Sequence, residues 1–367
     1  MKFNIEKLEK HLKDGYVSKR QHSSGDLFIL NYTPKTQFDW MWDDITIQCR
    51  GLIVDSQYNI VQRPFKKFFT VEQITQLRNS VHNLFGIKFK DIESIQFMRF
   101  DKLDGSLGIL YWDKNKDDFQ IATRGSFESP QAFKASEILL KYNTSSLNTK
   151  KFTYLFEIVY PENRVVVDYG LEEKLVLVAV IDNETGDDVW EEFDRIKDEN
   201  IFPVAKEFDS LTLSELANLP QIDNSEGFVL VSPNGFRLKY KYEEYKKLHR
   251  LLTGVTELSI WEALKNNNPY NLDTIPDEFY DWYTKVKLDL EHRYWEIETG
   301  IKVTYGEIKK YNPNITRKEL AISLKNYKYR SAIFNIIDGK DYSQIIWNEL
   351  RPTGGGTVFK IVSSEAD

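Results

Sequence analysis

The sequence of 367 residues contains a single cysteine, Cys49. One thiol cannot form an intramolecular disulfide or a zinc site built from cysteines, which excludes a disulfide-stapled secreted scaffold. The longest apolar run, residues 175–181, is far shorter than the roughly 20 residues that span a bilayer. The charged N-terminal stretch also lacks an apolar signal core. We therefore expect a cytoplasmic protein without a membrane-spanning segment.

Glycine and proline are scarce, with 18 and 11 residues, and no Gly-x-x-x-x-Gly-Lys-Ser/Thr sequence occurs. The scarcity excludes a fibrous or low-complexity chain, and the missing motif excludes a P-loop enzyme. Aromatic residues make up 14% of the chain and charged residues 29%, which is typical of an ordered globular protein. The net charge of −7 argues against a protein that coats nucleic acid through massed positive charge.

Short runs rich in Val, Ile, Phe and Tyr follow one another from Ser24 to about Leu238. Such runs are typical of strands in a largely antiparallel sheet system. They are FILNY, RGLIVD, SIQFMRF, SLGILYW, QIATRG, YLFEIVY, VVVDYG, LVLVAVI, GFVLVS and FRLKY. Helices are predicted around residues 70–84 and 130–142. The core positions predicted for the second helix are Phe133, Ile138 and Leu139.

The hydrophobic period becomes helical after about Arg250. Residues 276–298 are predicted to form a helix with one apolar face. That face consists of Phe279, Tyr283, Val286, Leu290 and Ile297. Thr316 and Glu319 form a capping-box pattern, which predicts a helix that begins there and continues through Lys325. The chain is therefore predicted to be an α+β protein with a helical second domain.

Residues 102–106 spell Lys-Leu-Asp-Gly-Ser between the runs SIQFMRF and SLGILYW. A glycine in the turn lets a nucleotide approach the backbone closely, and the flanking strands fix the lysine in place. Lysine side chains are almost all ammonium at neutral pH, so a nucleophilic Lys102 needs neighbouring positive charge or desolvation. For these five residues alone, a surface hairpin with an Asp-Gly turn is the alternative interpretation.

Two glutamates occur in strand-like apolar runs. Glu157 lies in YLFEIVYPENR with apolar neighbours on both sides, where an ionised carboxylate is costly unless something binds it. A ribose hydroxyl or a hydrated metal ion would suit, and an alternating strand that presents Glu157 to solvent is the alternative. Glu226 opens the run GFVLVS directly beside a glycine.

Several cations accompany these runs. Lys239 and Lys241 are two residues apart and hence on one face of a predicted strand. They repel each other unless an anion such as a triphosphate lies between them, although an exposed edge strand protected by lysines is the alternative. Arg50 in QCRGLIVD, Lys67 in RPFKKFF and Arg124 in ATRGS are ordinary surface charges if taken singly. Taken together, they are candidates for the lining of an anion pocket.

The order of these motifs resembles that of the covalent nucleotidyltransferase superfamily, which has a lysine motif, a glutamate strand, a Glu-Gly strand and a paired-lysine strand. More narrowly, the chain resembles the phage-type ATP-dependent RNA ligase 1 family, the tRNA-repair ligases. The matching segments are CRGLIVD, RPFKKFF, KLDGS, FEIVYPENRVV, NETG, EGFVLV and LKYKYEEY. Seven motifs in order are a much stronger indication than any one of them.

The resemblance implies a nucleotidyltransferase (ATP-grasp-like ligase) domain of antiparallel sheets with flanking helices over residues 1–252. An all-helical C-terminal domain, residues 253–367, is expected to select the RNA. Because helices rather than a small β-barrel are predicted after the paired-lysine strand, an RNA ligase is favoured over a DNA ligase or a capping-type enzyme. A catalytically silent RNA-binding protein would explain the basic clusters near residues 246–250 and 317–330. It would not explain Lys102, Glu157 and Glu226 together.

The same resemblance implies a role for each matching residue. Lys102 is expected to be the adenylated nucleophile, and Lys239 and Lys241 are expected to contact the phosphates. Glu226 is expected to hold the waters of a metal ion, and Glu157 to contact the ribose or a metal-bound water. The expected nucleotide-binding residues also include Arg50, Lys67, Asp104, Gly105, Arg124 and Tyr245. At position 124 the family can carry lysine, whose point charge differs from the bidentate fork of arginine.

The implied reaction is the joining of RNA 5′-phosphate and 3′-hydroxyl ends through lysyl-AMP and RNA-adenylate intermediates. ATP and Mg²⁺, with Mn²⁺ as a substitute, are the expected cofactors, because phosphoryl transfer depends on positioning and charge neutralisation. The expected substrate is broken RNA, with a nicked tRNA as the particular candidate. A kinase or phosphatase acting in trans is expected to heal ends that are not ready for joining.

Overall fold

The computed structural model describes residues 4–352, apart from residue 217 and residues 254–255 and 269–279. The chain divides into two compact units, Met1–His249 and Arg250–Asp367. Within the described residues, every strand lies in the first unit and the second contains helices alone. The predicted α+β class, with antiparallel sheets and a helical C-terminal region, is confirmed. No helix in these ranges is long and apolar enough to cross a membrane.

Three sheets make up the core of the first unit. Their strands, numbered β1 to β13 in chain order over the described residues, are Val17–Gln21, Leu27–Tyr32, Arg50–Asp55, Ile60–Gln62, Phe69–Thr70, Phe97–Asp101, Ser106–Asp113, Asp118–Thr123, Phe152–Val159, Lys174–Asp182, Glu207–Leu211, Gly227–Val231 and Arg237–Lys241. The sheets have the orders β1-β2-β3-β4, β10-β9-β7-β8 and β11-β6-β12-β13-β5. All pairs are antiparallel except β13 with β5, so the predicted antiparallel system is confirmed.

The helices, numbered α1 to α12 in chain order over the described residues, are Ile5–Lys13, Pro34–Phe38, Val81–Phe85, Pro130–Leu139, Trp190–Asp198, Leu213–Leu216, Glu243–Thr253, Glu257–Lys265, Tyr280–Tyr311, Arg317–Ser323, Arg330–Ile337 and Ser343–Glu349. Helices α4 and α5 contribute side chains to one apolar cluster with β9 and β10 of the second sheet. A second cluster joins the first and second sheets, and its members include Ile29, Ile53, Ile109 and Leu155. The packed sheets thus form a rigid base for the loops between their strands.

One predicted strand, VVVDYG, is wrong. Residues 165–167 form bends and Gly170 lies in a turn, because the backbone N–H groups of Val166 and Val167 both donate to Asp104 Oδ2, at 2.8 Å each. Hydrogen bonds to a side chain therefore replace the ladder that a strand would need. The sequence-based prediction missed β1, β4, β5 and β11, which are short or polar; in β1 only Val17 is buried.

The predicted helix over residues 70–84 is also wrong. The segment divides into a 3₁₀ helix, Glu72–Leu77, and α3, Val81–Phe85. The Ser80 hydroxyl donates to Leu77 O at 3.4 Å between them, so the side chain competes with a continuous helix. Each piece is therefore too short to show a helical period by itself.

Helix α4 begins at Pro130, and the Ser129 side chain accepts a hydrogen bond from Ala132 N at 3.1 Å. The residues that it buries are Ala132, Ala135, Ile138 and Leu139. Phe133 lies next to this face and is 51% exposed, so its predicted core position is wrong. Two of these four residues are alanines, whose small side chains allow β8 to pack closely against the helix.

In the second unit, Trp261 Nε1 donates to Trp347 O at 2.7 Å, and Tyr294 stacks on the Trp347 ring with centroids 4.7 Å apart. Helix α9 buries Tyr283 and Leu290, as predicted, whereas residues 276–279 of the predicted helix lie outside the described residues. The capping box of Thr316 and Glu319 is confirmed, although α10 ends at Ser323 instead of Lys325.

Gly227 fixes the register on which the candidate site depends. It pairs with Lys241 across β12 and β13, and its carbonyl accepts a hydrogen bond from Lys102 N at 3.0 Å. Its φ of 143° favours glycine, and an added Cβ would lie 2.0 Å from Tyr240 O. Only glycine therefore fits at the start of β12, directly after Glu226 and against the backbone of Lys102.

We expect Gly227→Ala to lower the free energy of unfolding by about 2 kcal/mol or more, through the backbone strain and the clash. Urea denaturation monitored by circular dichroism measures this change. Gly125→Ala is the matched control, because nothing lies within 4 Å of its added Cβ. Equal stability of the two variants would contradict the assignment.

Candidate active site

Lys102 lies in the loop between β6 and β7, as the sequence predicts. Its backbone is held by Gly227, and its side chain is 20% exposed, so a ligand can reach the amine. Lys102 Nζ donates to Glu226 Oε2 at 2.8 Å. The lysine motif and the Glu-Gly strand, 124 positions apart in the chain, therefore meet at one point.

Glu226 is the centre of this arrangement. Its side chain is 2% exposed, and its second oxygen, Oε1, lies 2.5 Å from Lys241 Nζ. A carboxylate buried this deeply is costly unless cations and hydrogen bonds compensate it, and here two lysines do so. Lys241 is itself 4% exposed and lies 5.0 Å above the Tyr245 ring. The interpretation of Lys241 as an exposed edge-strand lysine is therefore wrong.

Asp104 anchors the loop that carries Lys102. Its Oδ1 accepts from the Tyr245 hydroxyl at 2.7 Å, and its Oδ2 accepts from two backbone N–H groups of residues 166–167. The backbone N–H of Asp104 donates in turn to the Tyr169 hydroxyl at 2.8 Å. Both carboxylate oxygens are thus used within the protein. The arrangement suits a residue that positions Lys102.

Glu157 on β9 lies against the same loop. Its Oε1 accepts from Gly105 N at 2.9 Å, and an added Cβ on Gly105 would lie 2.5 Å from Ile158 O. Burial raises the pKa of Glu157 to about 7; Lys102 lowers it, and the carboxylates of Glu226 and Asp104 raise it further. The half-buried glutamate therefore faces the charged residues of the site, and Gly105 allows the loop to lie close to β9.

A second group of cations surrounds Tyr32. Lys67 is 3% exposed, donates to Gln37 Oε1 at 3.0 Å and lies 5.3 Å from the Tyr32 ring centre. Arg124 Nη1 donates to the Tyr32 hydroxyl at 3.3 Å. Lys67 is therefore not a surface charge, and two of the cations that the sequence proposed for an anion pocket share one aromatic neighbour.

Arg50 and Lys239 adjoin this group through the backbone. Gly51 has a φ of 87°, and a Cβ added there would lie 3.1 Å from Arg124 Cα, so the chain beside Arg50 passes close to Arg124. Arg50 also lies 5.2 Å above the Phe68 ring. Lys239 is 8% exposed and pairs in register with Thr70 of β5, shortly after Lys67.

Several polar residues of the site were not predicted. Tyr169 binds the loop backbone, and Asn163 Oδ1 accepts from Ser106 Oγ at 3.1 Å, directly after the lysine motif. Burial raises the pKa of Asp101, as does its neighbour Glu226. Asn163 lies inside the motif FEIVYPENR, so the sequence could have indicated it as a site residue. Tyr32 and Gln37 are distant in sequence and carried no signal.

The described residues contain no group of three or more His, Cys, Asp or Glu side chains that could hold a metal ion. Mg²⁺ usually keeps several waters and takes one or two carboxylates together with substrate phosphates. Glu157 and Glu226, which are the predicted metal residues, fit a hydrated ion that arrives with a nucleotide. They do not fit a site built from protein ligands alone.

A reachable lysine next to a buried carboxylate, with further buried lysines and an arginine nearby, is the arrangement that the sequence predicts for an enzyme of the nucleotidyltransferase class. The RNA ligase family model, of the T4 RNA ligase 1 type, matches residues 48–246. The chain therefore belongs to the RNA ligase family. The predicted family and the predicted enzyme class are confirmed.

Curated relatives of this chain are described as RNA ligases. The chain is 24% identical to an RNA ligase of Rhodothermus phage RM378, with 90% of this chain and 88% of that protein covered. It is 23% identical to a putative RNA ligase of Thermovibrio ammonificans, with 78% of each chain covered. A putative bifunctional polynucleotide kinase/RNA ligase of Autographa californica nuclear polyhedrosis virus is 29% identical, and the match spans 36% of that protein and 66% of this chain.

Solved structures are more distant. A putative ATP-dependent DNA ligase from Aquifex aeolicus superposes with a TM-score of 0.47 at 16% identity, covering 92% of this chain and 89% of the other. An archaeal ATP-dependent RNA ligase gives a TM-score of 0.47 at 12% identity, covering 94% of this chain and 78% of the other. Similarity at this level carries no argument about substrate.

The raised pKa of Glu157 predicts a dependence of stability on pH. Between its ordinary pKa of 4.5 and about 7, the folded protein holds a proton that the unfolded chain releases, so stability falls as pH rises. Glu157→Gln keeps the acceptor for Gly105 N and removes the charge. We expect the variant to gain on the order of 1–3 kcal/mol relative to wild type between about pH 5 and about pH 8.

Urea denaturation at the two pH values measures this difference. Glu162→Gln is the control, because Glu162 is an exposed glutamate a few residues away. A difference between Glu157→Gln and wild type that stays constant with pH would contradict burial as the cause of the raised pKa.

Proposed function

We propose that the protein is an ATP-dependent RNA ligase that joins a 5′-phosphate to a 3′-hydroxyl through a covalent lysyl-AMP intermediate on Lys102. The observation that carries the proposal is the contact of Lys102 Nζ with Glu226, itself bound to Lys241, in a loop whose glycine lies against Glu157. Family membership supports the same reaction.

In the first step, Lys102 Nζ leaves Glu226, loses its proton to solvent and attacks the α-phosphorus of ATP. A P–N bond forms, the bond between the α-phosphorus and the bridging oxygen breaks, and pyrophosphate leaves. Lys241 and Lys239 balance the charge of the phosphates. Glu226 retains Lys241 as a partner when Lys102 departs, so its burial stays compensated.

In the second step, an oxygen of the RNA 5′-phosphate attacks the phosphorus of lysyl-AMP. The P–N bond breaks, and Lys102 takes up a proton and regains Glu226 as its partner. In the third step, the RNA 3′-hydroxyl attacks the 5′-phosphorus of the RNA adenylate, its proton goes to solvent, and AMP leaves. Each step replaces one phosphorus bond by another, so positioning by a rigid loop supplies much of the catalysis.

Mg²⁺, or Mn²⁺ in its place, would neutralise phosphate charge when bound, with Glu157 and Glu226 as the carboxylates that hold its waters. Lys67, Arg124 and Arg50 form the group of cations suited to the triphosphate and the leaving pyrophosphate. Tyr245 and Asp104 keep the lysine loop in place. Gly105 allows the nucleotide to approach the backbone.

Repair of a nicked tRNA in the cytoplasm is the physiological role that we propose. The single cysteine, Cys49, is buried as a free thiol, which is compatible with a reducing compartment. A relative described as a putative kinase/RNA ligase supports a link with end-healing. In this chain, we propose that a separate kinase or phosphatase acts in trans.

We expect Lys102→Ala and Lys102→Arg to lower covalent labelling by radioactive ATP by at least about a thousandfold, because neither side chain supplies an amine nucleophile. The label is measured on a denaturing gel. Lys114→Ala, at an exposed lysine, serves as the control and retains the label. Undiminished labelling of both Lys102 variants would refute the nucleophile, and labelling by GTP instead of ATP would indicate a capping-type enzyme.

The second unit is proposed to select the RNA, and its ion pairs sharpen the prediction. Arg317 pairs with Asp338, and Lys328 pairs with Glu349. The other three basic residues of this stretch, Lys318, Lys325 and Arg330, are exposed and form no ion pair within the described residues. Of the five basic residues in this stretch, these three are therefore available to RNA phosphates without breaking an existing ion pair.

We expect combined Lys318→Ala, Lys325→Ala and Arg330→Ala to lower the preference for a nicked tRNA stem-loop over a linear oligonucleotide by about tenfold or more. Lysyl-AMP formation should not change. Combined Arg317→Ala and Lys328→Ala is the control at two paired cations, and it should change the preference less than combined Lys318→Ala and Lys325→Ala, which removes the same charge. An unchanged preference in the triple variant would refute a role of these residues in RNA selection.

A further inference from the structure

A cavity of about 370 Å³ lies at the far end of β12 and β13 from Lys102. It is lined by residues 64–68, by residues between 181 and 190, and by the turn 233–237. The turn joins β12 to β13, whereas Gly227 and Lys241 at the other ends of these strands adjoin Lys102. Arg237 lies four positions from Lys241 along β13, which corresponds to about 13 Å.

One face of β13 connects the two places. Lys241, Lys239 and Arg237 alternate along the strand, so their side chains share a face, and Arg237 lines the cavity. Asp188 binds the Arg237 guanidinium, and the guanidinium carbon lies 4.7 Å above the Phe65 ring. A row of cations thus leads from the nucleophile to the cavity, and its last member is fixed by protein contacts.

The cavity is lined by one exposed lysine and by three partly exposed aromatic rings. Lys66 is exposed and forms no ion pair or hydrogen bond within the described part of the chain, whereas its neighbour Lys67 is buried beside Tyr32. Three lining rings, those of Phe68, Phe85 and Trp190, are only partly buried. Aromatic faces next to a cation are what a base and its phosphate require.

The geometry of the reaction indicates which of the two RNA strands extends toward the cavity. In phosphoryl transfer the attacking and leaving atoms are roughly in line, so pyrophosphate leaves on the side of the α-phosphorus opposite to Lys102. The RNA 5′-phosphate later displaces Lys102 and therefore enters from that same side. The nucleotides that follow the 5′-phosphate then extend along the row of cations, away from Lys102.

On these grounds we infer that the cavity binds a nucleotide of the 5′-phosphate RNA strand a short distance from its end, with the base against Phe85 and a backbone phosphate at Lys66. The inference rests on the proposed function and deepens it. Aromatic rings stack on the face of a base and do not contact its edges, so recognition is expected to be independent of the RNA sequence. A donor of one nucleotide is too short to reach the cavity.

The test separates lysyl-AMP formation from AMP transfer. Preformed lysyl-AMP enzyme is mixed with a 5′-phosphorylated RNA of about ten nucleotides or with a 5′-mononucleotide, and single-turnover transfer is followed. We expect Lys66→Ala to slow transfer to the long donor about tenfold, as for one lost charged hydrogen bond. Transfer to the mononucleotide and labelling by ATP should equal wild type. Lys10→Ala, at an exposed lysine of α1, is the matched control.

Two further readouts separate binding from a structural effect. For Lys66→Ala, the slope of log rate against log salt concentration should fall by about 0.7, the value for one single-strand phosphate contact. Phe85→Leu keeps an apolar side chain, removes the stacking face and should also slow the long donor about tenfold. It should leave the salt slope unchanged.

The outcomes divide clearly. Wild-type rates on the long donor in both variants would overturn the inference, while lysyl-AMP formation in the same samples would leave the proposed function intact. Loss of ATP labelling in Lys66→Ala would also overturn it, because the cavity would then serve the triphosphate. A wild-type protein that forms no lysyl-AMP would refute the proposed function itself.

Discussion

The buried carboxylate of Glu226 is the constraint on which the site depends. Held by Lys102 on one oxygen and Lys241 on the other, it joins the lysine loop to the last two strands of the third sheet. A carboxylate so deeply buried requires its cations to stay close, because one unpaired charge in the interior costs several kcal/mol, on the order of 3–5. The ion pairs therefore define the geometry of the nucleophile as well as its charge environment.

The rest of the first unit positions this centre. Asp104 makes four hydrogen bonds in total through its two carboxylate oxygens and its N–H, to residues of two distant segments, 166–169 and Tyr245, and so fixes the loop from the other side. Gly105 and Gly227 have no side chain, and a Cβ at either position would clash with Ile158 O or Tyr240 O, respectively. Two glycines and one aspartate thus hold in place the loop that connects the third sheet to the second, and phosphoryl transfer depends on such positioning more than on acid–base groups.

Positive charge is concentrated at particular places in this acidic protein. The net charge is −7, yet Lys67, Lys239 and Lys241, the lysines that we propose to contact phosphates, are all less than a tenth exposed. Lysines in such places are stable only because aromatic rings, an amide and Glu226 surround them. The second unit shows the opposite pattern, in which exposed basic residues are partly neutralised by neighbouring acids.

The sequence by itself determined the antiparallel strands, the helical C-terminal region and the residues of the lysine, glutamate and paired-lysine motifs, because periodicity and motif order are local properties. Tertiary structure alone decided that Val166 and Val167 bind Asp104 instead of forming a strand, and that Phe133 is exposed while two alanines are buried. It also decided the contacts of Tyr32, Gln37 and Tyr169 with the cations and the loop. These depend on which distant segments meet, and no pattern within one segment encodes that.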